Sequence, residues 1–283
     1  MVSEQQSVAW SLSGFGDEID HDPRVQVAVL QALGADHIEV RSAWATNVAE
    51  MSDEQVARLQ GILAENSMSV SAVASPIGKV DVSEDVEHEV ARLRRVVEVA
   101  KALDTTNIRV FSFFHEGREP DAVRDDVLVR MAALARVAER AGVTLLHENE
   151  KDIFGDVPSR IVDMVESVGS PALRLAWDNA NFVQVGVRPM TEAYETLRPY
   201  VDYLQVKDAV METGKVVPAG HGDGQLPETV AAFARSGYAG FASLEPHLDE
   251  AFTLGGFSGP VAFGDAARAF RSLTDAAGVV TGR

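Results

Sequence analysis

Eight times along the chain a short run of β-forming, apolar residues gives way to an amphipathic segment with helical spacing. The β-type runs begin near residues 8, 37, 70, 108, 143, 173, 201 and 241, roughly 30 to 40 residues apart. Apolar positions at Val25, Val29 and Leu33 follow the first run, and Val86, Val90, Leu93, Val97 and Ala100 follow the third, each set on one helical face. Ser52 to Gln55 forms a capping-box pattern at the start of the second helix, and Gly34, Gly142, Gly169 and Gly237 stand where helices should stop. Strand–helix alternation implies parallel strands joined by right-handed crossovers. Eight units in 283 residues match an α/β fold of the (β/α)8 TIM barrel type, read as a single domain over residues 1–283. A doubly wound open sheet is the alternative. The turn after its first strand would cradle a pyrophosphate, and here that turn is GFGDEID, which is too acidic.

In such a barrel, chemistry collects at the C-terminal ends of the strands. Alternation puts Glu39 and Arg41 on one face of the second strand, Glu148 and Glu150 on one face of the fifth, Gln205 and Lys207 on one face of the seventh, and Glu245 and His247 on one face of the eighth. Glu18 follows the first strand, Lys79 the third, and Asp178 ends the sixth. The stretch VTLLHENEKDIFGD, residues 143–156, is the sharpest case: a buried strand runs directly into a cluster of charges, which must be paired or metal-bound. Three carboxylates drawn together, Glu148, Asp178 and Glu245, could not all stay ionised without a cation. A hard divalent ion answers this, Mg²⁺ or Mn²⁺ with Co²⁺ as a third candidate. The plainer alternative pairs Glu148 with Lys151 and uses Asp178 to cap a turn with Asn179. With no cysteine in the chain, thiolate ligands and nucleophiles are excluded.

The motifs Leu146-His-Glu-Asn149, Trp177-Asp-Asn-Ala-Asn181, Gln205-Val-Lys-Asp208 with Gly220-His-Gly-Asp-Gly224, and Ser243-Leu-Glu-Pro-His247 together resemble the xylose isomerase-like TIM barrels, the sugar phosphate isomerase/epimerase superfamily. The resemblance implies one divalent metal held from strands five to eight by Glu148, Asp178, Gln205 and Glu245. Gln205 stands where that family usually has histidine, so His221 or His247 is a substitute ligand to consider, and Glu150 competes with Glu148. The implied activity is isomerisation or epimerisation of a sugar through a cis-enediolate, with Glu148 and Glu245 as the proton-transferring pair. Glu18, Arg41, Lys79, Glu150, Asn181, Lys207, His221 and His247 would contact the substrate. Trp44, Phe114 and Trp177 are candidates for an apolar wall against a sugar ring, or for core. The alternatives are a lyase acting by β-elimination on a keto-sugar or keto-glycoside with the same metal and base, and a sugar-binding accessory subunit that has lost catalysis.

Net charge is 25 − 43 = −18, which disfavours nucleic acid and anionic membranes as partners. The same charge argues against abasic-DNA cleavage, an activity that the superfamily also contains. No apolar run reaches the ~18 residues of a membrane span. Residues 1–10 carry no signal-peptide pattern, so the expected location is cytoplasmic. The expected partner is a small-molecule sugar. Such barrels commonly form homo-oligomers, though no interface patch is legible.

Overall fold

The computed structural model describes residues 8–252 and 255–282. The eight expected strands are β1 (Val8–Gly14), β2 (His37–Val40), β3 (Ser69–Ala74), β4 (Asn107–Val110), β5 (Thr144–Glu148), β6 (Leu173–Asp178), β7 (Val201–Val206) and β8 (Phe241–Leu244). They form one curled, all-parallel sheet in the order β1-β8-β7-β6-β5-β4-β3-β2. The curl closes where Phe15, just past β1, bridges in parallel to Glu39 of β2. A ninth strand, β9 (Val279–Thr281), was not expected from the sequence. It pairs in parallel with Val8–Trp10 and lines the lower part of the seam where β1 and β2 make no ladder.

Helices α1 (Pro23–Ala32), α2 (Asp53–Glu65), α3 (Val86–Ala102), α4 (Pro120–Ala141), α5 (Pro158–Val168), α6 (Asn179–Gln184), α7 (Tyr194–Leu197), α8 (Leu226–Arg235) and α9 (Gly259–Ala276) complete the units. The capping box at Ser52 and Gln55 forms as its spacing implies. Gly142 and Gly169 end α4 and α5 in the left-handed conformation. In the sixth unit α6 follows the strand with no loop, Asp178 being its N-cap, and the short α7 comes later. Among the described residues no helix is long and apolar enough to cross a membrane.

Most strand residues are buried on both faces, as a parallel barrel requires. The outer faces pack against the helices in one large apolar cluster. Trp177 belongs to it, edge-on to Phe182, Tyr194 and Phe233, with Nε1 bonded to Asn179 Oδ1 at 2.9 Å. It is core and not a wall of the site. Inside the barrel a smaller apolar floor is made by Ala72, Leu146, Ala176 and Tyr203, with Phe241 against it. Two residues further along those strands, on the same face, come Ala74, Glu148, Asp178, Gln205 and Ser243. The apolar floor therefore fixes which residues face the barrel mouth above it.

One loop carries a backbone requirement close to that mouth. Gly78 has φ +83°, its N–H donates to Glu89 Oε2 at 2.6 Å, and a Cβ there would lie 2.1 Å from Phe111 O. The left-handed conformation alone costs an L-residue about 1–2 kcal/mol, and this clash is with backbone that cannot rotate away. Gly78→Ala is expected to destabilise the fold by more than that and to displace the adjacent Lys79 from the Phe111 ring. Urea denaturation measures the loss, and a variant as stable as the parent would refute it.

Candidate active site

Glu148, Asp178 and Glu245 converge at the barrel mouth from β5, β6 and the end of β8, with one carboxylate oxygen of each within 4.8 Å of the others. All three are at most 2% exposed. Asn149 sets the strand ends that carry two of them. Its amide donates to Asp178 O at 2.9 Å and accepts from Asp178 N–H at 3.0 Å, adding a side-chain rung where the β5–β6 ladder ends. Asp178 Oδ1 accepts from Asn181 N–H at 2.8 Å and caps α6, which leaves Oδ2 facing the other carboxylates. Asn181 Nδ2 returns to Glu148 Oε1 and to Asn149 O, both at 2.8 Å. Capping and site placement are thus shared by the two oxygens of Asp178. Glu148 takes Arg109 as its ionic partner, while Lys151 is exposed.

A lysine, two arginines and a histidine reach into this group. Lys207 Nζ lies 2.9 Å from Asp178 Oδ2 and 3.0 Å from Glu245 Oε2. Arg109 Nη1 lies 3.0 Å from Glu148 Oε2 and 3.9 Å from Glu245 Oε1. Arg41 holds Asp17 at 2.8 Å through Nε, Glu245 Oε1 at 3.2 Å through Nη1, and Gly256 O at 3.0 Å through Nη2. His247 Nε2 stands 3.0 Å from Glu18 Oε1 and 3.4 Å from Glu245 Oε1. Aromatic faces interleave with the cations: Phe15 lies under both Arg41 and Arg109, and Phe111 under both Arg109 and Lys79.

This arrangement drives the carboxyls apart in acidity. Burial pushes Glu148 up, and pushes Asp178 up to about 7, because the Arg109 and Lys207 charges only partly offset it. Burial would raise Glu245 too, but Lys207, His247 and Arg41 hold it well below the ordinary carboxylate range. His247 is raised to about 9 by Glu18 and Glu245 against the opposing effect of burial. Deeper in the barrel, burial pushes Glu39 up to about 7. Tyr203 OH donates to Glu39 Oε2 at 2.9 Å and also meets Ser71 Oγ at 2.8 Å.

The other expected residues separate by depth. Glu150 pairs with Lys79 at 3.0 Å at the more open rim and stands outside the close carboxylate group. Glu18 is fully buried and accepts from His247 N–H and Ser258 Oγ at 2.8 and 3.0 Å, which ties down the loop after β8. Glu18, Glu245 and His247 form a second close group that shares Glu245 with the first. His221 differs from expectation. It is exposed in the loop after β7, its N–H is bonded to Pro218 O, and among the described residues its side chain bonds to no member of the carboxylate group. The glycine-rich loop around it is wrapped on Asp208, whose oxygens accept from Gly220, Gly222 and Gly224 N–H, each at 2.9 Å. Those amides are therefore not free to hold a phosphate. The residue that sequence reasoning missed is Arg109, a single cation inside an otherwise apolar strand.

The donor set suits a hard divalent ion. It offers three buried carboxylates and the Gln205 amide, whose terminal atom lies 3.1 and 3.2 Å from the two Glu148 oxygens. Asp178 Oδ2 is buried and, despite its ionic contact with Lys207, has no hydrogen bond of good geometry.

A barrel with its mouth built this way falls in a class that comparison with known proteins defines. The family model described as xylose isomerase-like TIM barrel matches residues 27–273, and the chain belongs to that family. A 2-epi-5-epi-valiolone 7-phosphate 2-epimerase from Actinoplanes sp. strain SE50/110 is 34% identical over 150 residues, 51% of this chain and 52% of the relative. The chain thus spans about half the length of the curated relative it matches. Among solved structures, a D-tagatose 3-epimerase-like protein superposes with a TM-score of 0.76 at 14% identity, over 94% of this chain and 98% of its own. A xylose isomerase-like TIM barrel protein from Mycobacterium smegmatis, in complex with magnesium, superposes at 0.69 with 18% identity, over 96% and 98%. At these identities the two structures attest the fold.

Proposed function

We propose that the protein is a divalent-metal-dependent epimerase or isomerase of a sugar or related polyhydroxy ketone. The observation that carries this is the convergence of three buried carboxylates from three strands, Glu148, Asp178 and Glu245, with one oxygen of each within 4.8 Å of the others at the barrel mouth. Glu148, Asp178, Gln205 and Glu245 would hold Mg²⁺ or Mn²⁺, which when bound polarises a substrate carbonyl and its neighbouring hydroxyl. Glu245, kept ionised by its cations, takes the proton from the hydroxyl-bearing carbon next to the carbonyl. Glu148, which burial favours in its neutral form, returns a proton, and the substrate passes through a cis-enediolate. Arg109 and Lys207 face the same carboxylates and offer N–H groups to the charge that develops on oxygen. Lys79, Glu150 and His247, at the more open rim, would contact substrate hydroxyls. The relative's name, a 2-epimerase of a phosphorylated valiolone, supports the epimerase branch over the half of the chain that it matches. The magnesium complex of a protein of the same fold supports the choice of a hard ion.

The test is hydrogen exchange in D₂O on a panel of ketoses and cyclic polyhydroxy ketones, with Mn²⁺-loaded and EDTA-treated protein. Deuterium should enter at a carbon next to the carbonyl, and EDTA should slow exchange at least about 100-fold, by withdrawing the group that acidifies that carbon. Exchange indifferent to EDTA, or absent from every substrate with metal present, would remove this reading.

A further inference from the structure

Gln205 occupies a position where its amide can be turned either way, and the two ways are not equivalent. One terminal atom lies 3.1 and 3.2 Å from the Glu148 oxygens, and the other lies 3.5 Å from Glu39 Oε1. With nitrogen toward Glu148, the amide donates to that carboxylate and its oxygen faces the Glu39 carboxyl. With oxygen toward an ionised Glu148, two acceptors meet at hydrogen-bond distance, and a cation between them, metal ion or proton, makes that favourable. In this second orientation the amide nitrogen donates to Glu39. Gln205 and Glu39 are 1% and 0% exposed, so Glu39, on the side away from Glu148, is the protein acceptor on hand for that nitrogen.

Glu39 is itself held. Its Oε2 accepts from Tyr203 OH at 2.9 Å, Tyr203 OH meets Ser71 Oγ at 2.8 Å, and Ser71 Oγ meets Ser13 Oγ at 2.7 Å. The chain of hydroxyls occupies one oxygen of Glu39 and leaves Oε1 on the Gln205 side. Register keeps Gln205 beside its neighbours, since it is level with Asp178 on β6 and with Ser243 on β8.

We propose that Glu39 is the positioning residue for Gln205: by accepting its amide N–H it turns the carbonyl oxygen toward Glu148, Asp178 and Glu245, and so lets a glutamine serve as the fourth metal ligand. With no cation and Glu148 ionised, the amide turns over and donates to Glu148. The swap costs no volume, because the two ends of the amide are nearly the same size. This inference rests on the divalent-metal reading of the site.

Mn²⁺ titration by calorimetry tests it without any assay of turnover. Loss of an outer-shell partner typically weakens a metal by 10–100-fold. Glu39→Gln should raise the Mn²⁺ dissociation constant by about that factor. In a Gln205→Ala background, where no amide remains to orient, the same change should have less than about a 2-fold effect, the amide being the route of the coupling. A Gln205→His protein should bind Mn²⁺ at least as tightly as the parent and lose that affinity on Glu39→Gln, since an imidazole N–H would use the same acceptor. Tyr203→Phe, which frees Glu39 Oε2, should weaken Mn²⁺ more mildly and serves if Glu39→Gln does not fold. An unchanged dissociation constant in Glu39→Gln overturns the proposal. So does an equal loss with and without Gln205, which marks a purely structural role. If the parent protein binds no Mn²⁺ at all, it is the metal reading that falls.

Discussion

Glu245→Gln is expected to cut substrate proton exchange by about 10²–10⁴-fold, the usual contribution of a positioned acid or base. The substitution keeps shape and removes the carboxylate proposed as proton acceptor. It also removes the charge on which the site's cations converge. Arg41, Lys207 and His247 stand 3.2, 3.0 and 3.4 Å from the Glu245 carboxylate, and Arg109 stands 3.9 Å away. Breaking a buried ion pair on one side costs about 3–5 kcal/mol. Here Arg41 keeps Asp17, Lys207 keeps Asp178 and His247 keeps Glu18, so the loss should fall near the lower end, about 3 kcal/mol. Glu148→Gln should be gentler on stability, because its one ion pair within hydrogen-bonding range is with Arg109 and burial already favours a neutral group there. Deuterium exchange followed by NMR on the metal-loaded variants, with urea denaturation alongside, separates the two effects. Exchange at the parent rate in Glu245→Gln would move the base elsewhere, and Glu150 at the rim would be the next carboxylate to test.

The barrel was legible because its pattern is repetitive and local. A buried parallel strand needs a run of apolar residues and a crossover helix needs a 3.6-residue stripe, so eight repeats place eight strands within a residue of their observed starts. Facing follows from alternation, which puts Glu148, Gln205 and Glu245 on inward faces. What alternation cannot supply is depth and partner. Arg109 reads as one cation in NIRVFSFF, and its partner Glu148 lies 39 residues away on the next strand, a contact set by register and side-chain reach. His221 differs from expectation because of its loop. It enters as a substitute for the histidine that Gln205 replaces, yet the loop that carries it closes its glycine amides on Asp208. β9 was missed because three residues after a long helix carry too little pattern to mark a strand.

Lys207→Met should reveal that an ammonium and a divalent ion are two answers to one electrostatic problem. Asp178, Glu245 and Glu148 lie within 4.8 Å of one another, and Lys207 Nζ touches the first two at 2.9 and 3.0 Å. Methionine keeps most of the buried stem and removes the charge. The metal-free variant should lose about 3–5 kcal/mol, the cost of leaving a buried charge without its partner. It should also become more sensitive to pH. Burial already pushes Asp178 up to about 7 with Lys207 pulling it down, and without that pull it moves higher. A carboxyl whose folded-state value is raised stabilises the fold fully below the ordinary carboxylate range, and that contribution is lost as pH rises through the folded-state value. The variant should therefore be relatively most stable in acid and weakest at alkaline pH. Mn²⁺ should reverse much of the loss. Ligand binding to the folded state stabilises by about 2.7 kcal/mol at 100 times the dissociation constant, so the metal-induced rise in Tm should exceed the parent's if the ion no longer competes with an ammonium for the same oxygens. Differential scanning calorimetry with and without Mn²⁺, at acid and alkaline pH, reads all of these. A metal-free variant as stable as the parent, with no added gain from Mn²⁺, would mean that the carboxylates do not depend on Lys207. Arg109 and Arg41 would then be the cations that neutralise them.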